Sequence, residues 1–129
     1  MREQYNIEDC IPQRPPFVFI DTIEEVSENY VRTTFSVKEN CVLLDDESLS
    51  IAGLMENAAQ TCAARGGNRI GYIGAVKQIE ATRLPKIGEQ LTTEARVIEE
   101  IANISLMEIV TFVDEQPIAT TTLKIAIME

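Results

Sequence analysis

The chain has 129 residues, of which 45% are hydrophobic and 25% are charged, and its formal net charge is −10. This length and composition predict one soluble globular domain over residues 1–129, because no segment approaches the roughly 18 consecutive apolar residues that a membrane helix requires. The acidic balance excludes general binding of nucleic acids, since neutralising phosphates requires a surplus of lysine and arginine.

The N-terminal third of the chain predicts two short strands. Residues 13–16 read Gln-Arg-Pro-Pro, which is typical of an extended or turning segment because proline fixes φ and restricts the residue before it. Residues 17–20, Phe-Val-Phe-Ile, predict a short buried strand. Residues 30–37 alternate in polarity and predict a second strand, preceded by a hairpin turn at residues 27–29. The face that we expect to be buried carries Val31, Thr33, Phe35 and Val37.

Residues 51–65 predict the principal helix. They are rich in Ala, Leu, Met, Glu and Gln, they contain no proline, and Gly66-Gly67 follows them as a helix stop. Ser48 or Ser50 is placed to cap the first turn. Apolar residues lie around most of the circumference, so we expect a helix that is buried on nearly every side.

The C-terminal half predicts further strands, because segments rich in Val, Ile and Thr are separated by Gly, Pro, Asp or Asn. The last two are expected to form a hairpin, since Asp114-Glu115-Gln116 precedes Pro117. The pattern predicts the α+β class, with one long central helix wrapped by a largely antiparallel sheet of about five to six strands. The predicted segments are residues 72–76, 79–84, 90–98, 103–113 and 118–127.

The cysteines fit a reducing compartment. Cys10, Cys41 and Cys62 are odd in number and have no Cys-x-x-Cys spacing, and the N-terminus lacks an apolar stretch of the secretory type, so we expect a cytoplasmic protein. Cys62 falls on the apolar side of the helix and is expected in the core. The sequence contains no histidine, so a zinc site would need an unusual mixture of thiolates and carboxylates. We predict neither a metal nor a cofactor.

Three segments of the chain together resemble one known family. Residues 11–21 read Ile-Pro-Gln-Arg-Pro-Pro-Phe-Val-Phe-Ile-Asp, residues 55–60 read Met-Glu-Asn-Ala-Ala-Gln, and residues 74–88 read Gly-Ala-Val-Lys-Gln-Ile-Glu-Ala-Thr-Arg-Leu-Pro-Lys-Ile-Gly. Their order and spacing resemble the hotdog-fold 3-hydroxyacyl-acyl-carrier-protein dehydratases of bacterial fatty-acid synthesis. The smaller dehydratase-like subunits of aryl-polyene pathways match equally well. The resemblance implies a hotdog dimer that handles acyl thioesters of acyl carrier protein or coenzyme A.

The resemblance implies a two-residue catalytic site, of which this chain carries one residue. In the family, a histidine of one subunit removes the α-proton, and a carboxylate on the central helix of the other subunit assists departure of the β-hydroxyl as water. Glu56 matches that carboxylate. Val42 lies near the histidine position, in a loop that reads Asn-Cys-Val-Leu-Leu-Asp-Asp-Glu-Ser over residues 40–48, and Gln13 replaces the histidine of the opening motif.

The helix offers further groups to a thioester substrate. Burial would help Glu56 to hold a proton and act as the acid. Backbone N–H groups at the start of the helix, at Ala52 and Gly53, are predicted to polarise the thioester carbonyl, because unpaired donors and the helix dipole favour negative charge there. Two structural roles stay open for Glu56, an ion pair with Arg14 or a hydrogen bond to Gln60 one turn on.

The remaining candidate binding residues form two groups. Phe17 and Tyr72 are candidates to line an acyl tunnel, with core packing as the commoner fate of isolated aromatics. Gln60 is a candidate for the same pocket, with a structural hydrogen bond as the alternative. A second, basic group lies in the segment similar to the family's carrier-protein docking surface, with an ordinary solvated surface as the alternative. That group is Lys77, Arg83 and Lys86.

Three functions are therefore open. A dehydratase-like subunit would need a histidine-bearing hotdog paralogue, because a homodimer of this chain would hold two half-sites without histidine. A hotdog thioesterase would use Glu56 as a general base that directs water at the thioester carbonyl, which requires no histidine. A non-catalytic subunit would bind acyl chains or carrier protein and keep Glu56 as a relic.

Overall fold

The structure, a computed structural model, describes residues 6–65 and 70–128, without the side chains of residues 70–72, 127 and 128. A long helix and a six-stranded sheet dominate it. Within these ranges the elements in chain order are α1 (Ile7–Cys10), β1 (Thr22–Ser27), β2 (Tyr30–Ser36), β3 (Leu44–Asp45), β4 (Ser48–Leu49), α2 (Ile51–Arg65), β5 (Ile70–Ala81), β6 (Gln90–Ile101), β7 (Ile104–Val113) and β8 (Gln116–Met128).

The main sheet has the strand order β1-β2-β6-β7-β8-β5, and every neighbouring pair is antiparallel. Two predicted hairpins are confirmed, one between β1 and β2 and one between β7 and β8. In the second, Asp114 and Glu115 both have positive φ, which matches the right-handed twist of the strands that they join. The predicted α+β class, with one central helix against an antiparallel sheet, is confirmed.

Helix α2 packs on one face of this sheet, called here the inner face. Side chains of alternate strand residues point to this face and are buried, as Val31, Leu91 and Leu123 show. Two buried clusters line the helix. One combines Ala58 and Cys62 of α2 with residues of β1, β2, β6, β7 and β8. The other surrounds Leu54 and includes the hairpin residue Leu49.

The predicted helix over residues 51–65 is confirmed, and Ser50 caps it. The Ser50 hydroxyl accepts a hydrogen bond from the Gly53 N–H at 3.2 Å, and its carbonyl accepts one from the Leu54 N–H at 3.0 Å. The expectation that the helix is buried on nearly every side was wrong. One stripe stays partly exposed, because no element among residues 6–65 and 70–128 covers it fully: Met55, Glu56, Ala59 and Ala63.

The strand predicted at residues 17–20 was also wrong. Phe19 and Ile20 are buried as expected, but residues 17–20 pair with no strand in the described part of the chain. The backbone of this segment bonds to side chains of α2 instead. The Phe19 N–H donates to Gln60 Oε1 at 2.7 Å, and the Phe19 carbonyl accepts from Asn57 Nδ2 at 2.7 Å. The two amides satisfy backbone groups that a neighbouring strand would otherwise satisfy.

The strands predicted at residues 72–76 and 79–84 are one strand, β5. Its pairing with β8 shifts register between Ile73 and Ala75 and again between Val76 and Gln78. Each shift inserts one unpaired residue, a β-bulge, so the regular alternation of the sequence is interrupted although the strand continues. β5 lies at the edge of the sheet, with β8 as its neighbour.

Gly53 allows α2 to approach the β3–β4 hairpin closely. A Cβ at this position would lie 2.6 Å from Leu49 Cγ and closer still to its Cδ1, and Leu49 is fully buried. We expect Gly53→Ala to lower the free energy of unfolding by about 1–3 kcal/mol, because overpacking outweighs the better helix propensity of alanine. Denaturant titration measures this. Gly74→Ala is the control, since its Cβ meets only ordinary contacts at 3.5 Å, and an equal loss in both variants would contradict the overpacking.

Candidate functional site

Glu56 lies at the centre of the candidate site, on the partly exposed stripe of α2. Its Oε2 accepts a hydrogen bond from Nε2 of Gln60, one turn further along the helix, at 3.0 Å. Of the two structural roles left open for Glu56, the structure shows the hydrogen bond to Gln60. The Arg14 guanidinium instead donates to the carbonyl oxygens of Ile11 at 2.9 Å and of Gln13 at 2.8 Å.

Gln60 is fully buried, and all its polar atoms are engaged. Besides the bond to Glu56, its Nε2 donates to the Phe17 carbonyl at 2.9 Å, and its Oε1 accepts from the Phe19 N–H at 2.7 Å. A primary amide has two N–H donors, so Gln60 has no hydrogen left to donate elsewhere. Its carboxamide is therefore fixed in orientation and holds one oxygen of Glu56 in place.

A buried polar network behind this site was missed by the sequence analysis. Asn57 is fully buried, and its Oδ1 accepts from the Thr93 hydroxyl at 2.6 Å while its backbone carbonyl accepts from the Thr61 hydroxyl at 2.7 Å. Thr61 also pairs with the Thr33 hydroxyl at 2.7 Å. The signal was present as polar residues at positions i, i+3 and i+4 of a mainly apolar helix, the spacing of one helix face.

The two backbone donors predicted at the start of α2 differ in availability. The Gly53 N–H is already bonded to the Ser50 hydroxyl, at 3.2 Å, and Gly53 is buried. Ala52 lies on the exposed side of the first turn. The oxyanion role of this turn stays a prediction, and Ala52 is the more accessible of the two residues.

The two aromatic candidates are described to different extents. The Phe17 side chain is exposed, and its carbonyl bonds to Gln60, so Phe17 lies beside the helix turn that carries Glu56. The Tyr72 side chain falls outside the described part of the chain, and its predicted role at an acyl tunnel stays a prediction. The structure thus brings Glu56, Gln60 and Phe17 together.

A pocket of about 410 Å³ lies between the N-terminal segment and the loop that contains Val42. It contains Val42, which lies near the position of the family histidine, and it is separate from Glu56, which does not line it. One chain therefore places Glu56, the predicted acid, and Val42, near the predicted histidine position, at different sites. The lining residues are Pro15, Pro16, Val18, Phe19, Asp21, Phe35, Ser36, Lys38, Asn40, Cys41 and Val42.

The three basic candidates for carrier docking do not form one surface. Arg83 donates to both carboxylate oxygens of Glu89, at 2.8 and 3.0 Å, and the Lys86 backbone N–H donates to Glu89 at 2.8 Å. These bonds, that of Arg83 first, lower the pKa of Glu89. Lys77 lines a separate groove with Lys124. Arg83 is therefore neutralised within the chain, and docking by these residues stays a prediction.

The three cysteines are free thiols in different environments. Burial raises the pKa of Cys62 to about 12, and it also raises that of Cys10, with Asp9 as a second cause. Cys41 lines the Val42 pocket, and its Sγ accepts a hydrogen bond from the Lys38 N–H at 3.2 Å. The expectation that Cys62 is a core residue is confirmed.

We expect Cys62 to resist alkylation in the folded protein. The thiolate is the reactive form, and a pKa of about 12 leaves a thiolate fraction on the order of 10⁻⁴ at pH 8. Mass spectrometry of alkylated peptides at pH 8 should find Cys41 labelled first and Cys62 labelled only after denaturant is added. Equal labelling rates of Cys41 and Cys62 in the native protein would contradict the burial of Cys62.

Two features are absent from residues 6–65 and 70–128. No group of three or more His, Cys, Asp or Glu side chains is arranged to hold a metal ion there. Among the helices in the same ranges, none has the length and apolar character needed to cross a membrane.

A long helix against a six-stranded antiparallel sheet, with a carboxylate on the open stripe of that helix, defines a protein of the hotdog-fold class. The profile of the ApeP-like family, described as ApeP dehydratase, matches residues 5–125. The chain therefore belongs to the ApeP-like dehydratase family. A search of curated proteins gave no match.

Solved structures with this fold span most of the chain. The dehydratase heterocomplex ApeI:P from Xenorhabdus doucetiae superposes with a TM-score of 0.87 at 15% identity, over 98% of this chain and 93% of that chain. An uncharacterized protein from Pyrococcus horikoshii gives 0.75 at 13% identity, over 89% and 88%. A hypothetical thioesterase from Streptococcus pneumoniae, solved with coenzyme A, gives 0.71 at 15% identity, over 82% and 84%. These similarities establish the fold.

Proposed function

We propose that this chain is the acid-bearing subunit of a dehydratase for 3-hydroxyacyl thioesters, and that a histidine-bearing hotdog paralogue supplies the base. The observation that carries the proposal is Glu56, a carboxylate held by Gln60 on the open stripe of α2, in a sequence without histidine. Membership of the ApeP-like dehydratase family supports the reaction class. The similar ApeI:P structure is itself a heterocomplex, which supports a mixed dimer.

The geometry suits Glu56 to the acid half of the reaction. A base removes the α-proton, the electron pair forms the C–C double bond, and the β-hydroxyl leaves as water after it takes a proton from the acid. Gln60 donates to Oε2, so Oε2 serves as an acceptor and Oε1 is the oxygen that carries the transferable proton. The exposed N–H region at Ala52 would stabilise negative charge on the thioester oxygen.

The open surface beside α2 supports dimer formation. β5 is a long edge strand, and such strands invite pairing with another chain. Ile73 and Val76 of β5 pair with Ile125 and Leu123, both buried on the inner face, yet Ile73 is 44% exposed and Val76 is 46% exposed. Apolar side chains on the core face of an unpaired edge need a cover. A second hotdog subunit at this edge would cover them and the open stripe of α2.

We expect Val76→Lys to prevent this association. A charge on the core face of the edge strand loses hydration when a second hotdog subunit covers it. Dimers that contain this chain should therefore dissociate into monomers at micromolar concentration. Light scattering after size exclusion measures the mass. Ile98→Lys is the control, because Ile98 is 53% exposed on β6, away from the edge. Dimers that persist in Val76→Lys would contradict an interface at β5.

We also propose that the domain spans residues 1–129, acts in the cytoplasm, and receives its substrate from acyl carrier protein or coenzyme A in fatty-acid or polyene biosynthesis. An acidic carrier requires a docking surface with basic side chains that are free to bind it. Among the basic candidates, Lys77 and Lys86 are not neutralised by an ion pair with any residue in the described ranges, whereas Arg83 is bound to Glu89. Because Lys77 lines a separate groove, an acidic carrier would meet either Lys86 or Lys77.

Product analysis tests the proposal. The chain is combined with a histidine-bearing hotdog paralogue and given a 3-hydroxyacyl thioester, and the enoyl thioester and free thiol are followed together. The proposal predicts enoyl thioester without release of thiol. Release of free thiol without enoyl product would instead identify a thioesterase with Glu56 as general base. If neither enoyl thioester nor free thiol forms although the complex is intact, the result would favour a non-catalytic binding subunit.

A further inference from the structure

The outer face of the sheet, opposite α2, carries an apolar groove that the proposed reaction does not use. Its volume is about 420 Å³, within the range of roughly 300–1,000 Å³ typical of small-molecule sites. Its apolar lining, called here the floor, consists of Leu106, Ile101, Ala102 and Ile104. Ile101 and Ile104 are among the exposed large apolar residues of the chain.

The strand register orders the charges along this groove. Leu106 pairs with Glu99 on one side and with Lys124 on the other, and Lys124 pairs with Ala75 of β5. Lys77, the residue inserted at the second bulge of β5, also lines the groove. The groove is therefore positive over β8 and β5, apolar over β7, and carries a carboxylate over β6.

Both lysines are available to a ligand. Neither Lys77 nor Lys124 has an ion pair or side-chain hydrogen bond with any residue in the described ranges, whereas Arg83 and Arg65 are bound to Glu89 and Glu100. Two adjacent unneutralised ammonium groups in a chain of net charge −10 favour an anion at this end. The apolar floor favours a hydrocarbon chain beyond the lysines.

The length of the groove determines which alkyl chains fit it. The groove crosses four strands, a span of about 14 Å at the usual strand spacing. That span equals a fully extended carboxylate of about ten to twelve carbons, head group included, given C–C bonds of about 1.5 Å. Glu99 lies on the opposite side of Leu106 from Lys124, and its negative charge fixes the direction of an anionic amphiphile.

We propose that this outer groove binds a free long-chain carboxylate, with its head group at Lys77 and Lys124 and its alkyl chain over Leu106, Ile104 and Ile101. The site lies on the face opposite Glu56. Its occupancy is therefore independent of the chemistry proposed at Glu56, with Lys77 as the one residue shared with the proposed carrier docking, and either proposal stands if the other fails.

The test uses dodecanoate below its micelle concentration and the full chain with labelled Ile, Leu and Val methyl groups. Dodecanoate should shift the methyl signals of Ile101, Ile104 and Leu106 and leave that of Val42 in place. Hexanoate should bind more weakly because it covers less of the floor. Dodecyltrimethylammonium, which has the same chain and the opposite charge, should not shift these signals.

Charge reversal locates the head group. Lys124→Glu should weaken dodecanoate binding by about tenfold, while Lys86→Glu, which makes the same change in net charge elsewhere, should leave the affinity unchanged. If Lys124→Glu fails to fold, Lys124→Gln compared with Lys86→Gln provides the same test. The inference is overturned if shifts appear only at Val42, if the two variants bind equally, if the ammonium amphiphile binds as well, or if dodecanoate leaves every methyl signal unchanged.

Discussion

Replacing Glu56 with Gln should lower kcat for enoyl formation by about a hundredfold or more in the complex with a histidine-bearing partner, since general acid catalysis contributes about 10²–10⁴-fold. The substitution removes the transferable proton and keeps the shape of the side chain. The amide oxygen of the new side chain still accepts from Gln60 Nε2, the bond that holds Glu56 at 3.0 Å. The loss should therefore appear in kcat, with stability and complex formation unchanged.

The matched control is Glu108→Gln, which makes the same change on the exposed outer side of β7. Its kcat should equal that of the unmodified chain. Steady-state rates of enoyl formation, with light scattering to verify the complex, separate the two variants. A Glu56→Gln complex that retains full activity would show that the acid comes from elsewhere.

Replacing Asn57 with Ala should lower the free energy of unfolding by about 3–5 kcal/mol. Asn57 is fully buried, and its side chain bonds to the Phe19 carbonyl at 2.7 Å and to the Thr93 hydroxyl at 2.6 Å. Alanine leaves both groups without these partners and opens a cavity at the centre of α2. The penalty of unsatisfied buried groups adds to that of the cavity.

Denaturant titration measures this loss, and Asn40→Ala is its control. Asn40 is exposed, so its substitution should change stability by no more than about 0.5 kcal/mol. A loss below about 1 kcal/mol for Asn57→Ala would mean that the Phe19 carbonyl and Thr93 find other partners. The hydrogen bonds between Gln60 and the backbone of Phe17 and Phe19 stay in place in Asn57→Ala.

Local patterns in the sequence predicted most of the fold. The composition of residues 51–65 and the serine cap predicted α2, and alternation predicted β2, because both signals depend on neighbouring residues. The strand predicted at residues 17–20 was wrong because a run of aromatic and β-branched residues predicts a strand whatever satisfies its backbone. Here the amides of Asn57 and Gln60 do so, and they lie about 40 positions further along the chain.

The candidate site was predicted only in part. The family resemblance predicted Glu56, and helix spacing gave its bond to Gln60 as one of two alternatives, since both residues lie on one element. Thr33 and Thr93 come from separate strands, and only the sheet register brings them to Asn57 and Thr61. For the same reason the sequence grouped Lys77 with Arg83 and did not group it with Lys124 on the adjacent strand.

In the proposed function, Glu56 of this chain and a histidine of a hotdog partner form one active site, called here the shared site. Its most direct test is turnover of a 3-hydroxyacyl thioester by the purified chain alone, compared with the same chain after addition of a histidine-bearing partner. Enoyl thioester and free thiol are measured in both samples, with Glu56→Gln alongside. The shared site predicts no enoyl product from the chain alone and Glu56-dependent product from the complex. Glu56-dependent enoyl formation by the chain alone would contradict it, because dehydration would then proceed without any histidine.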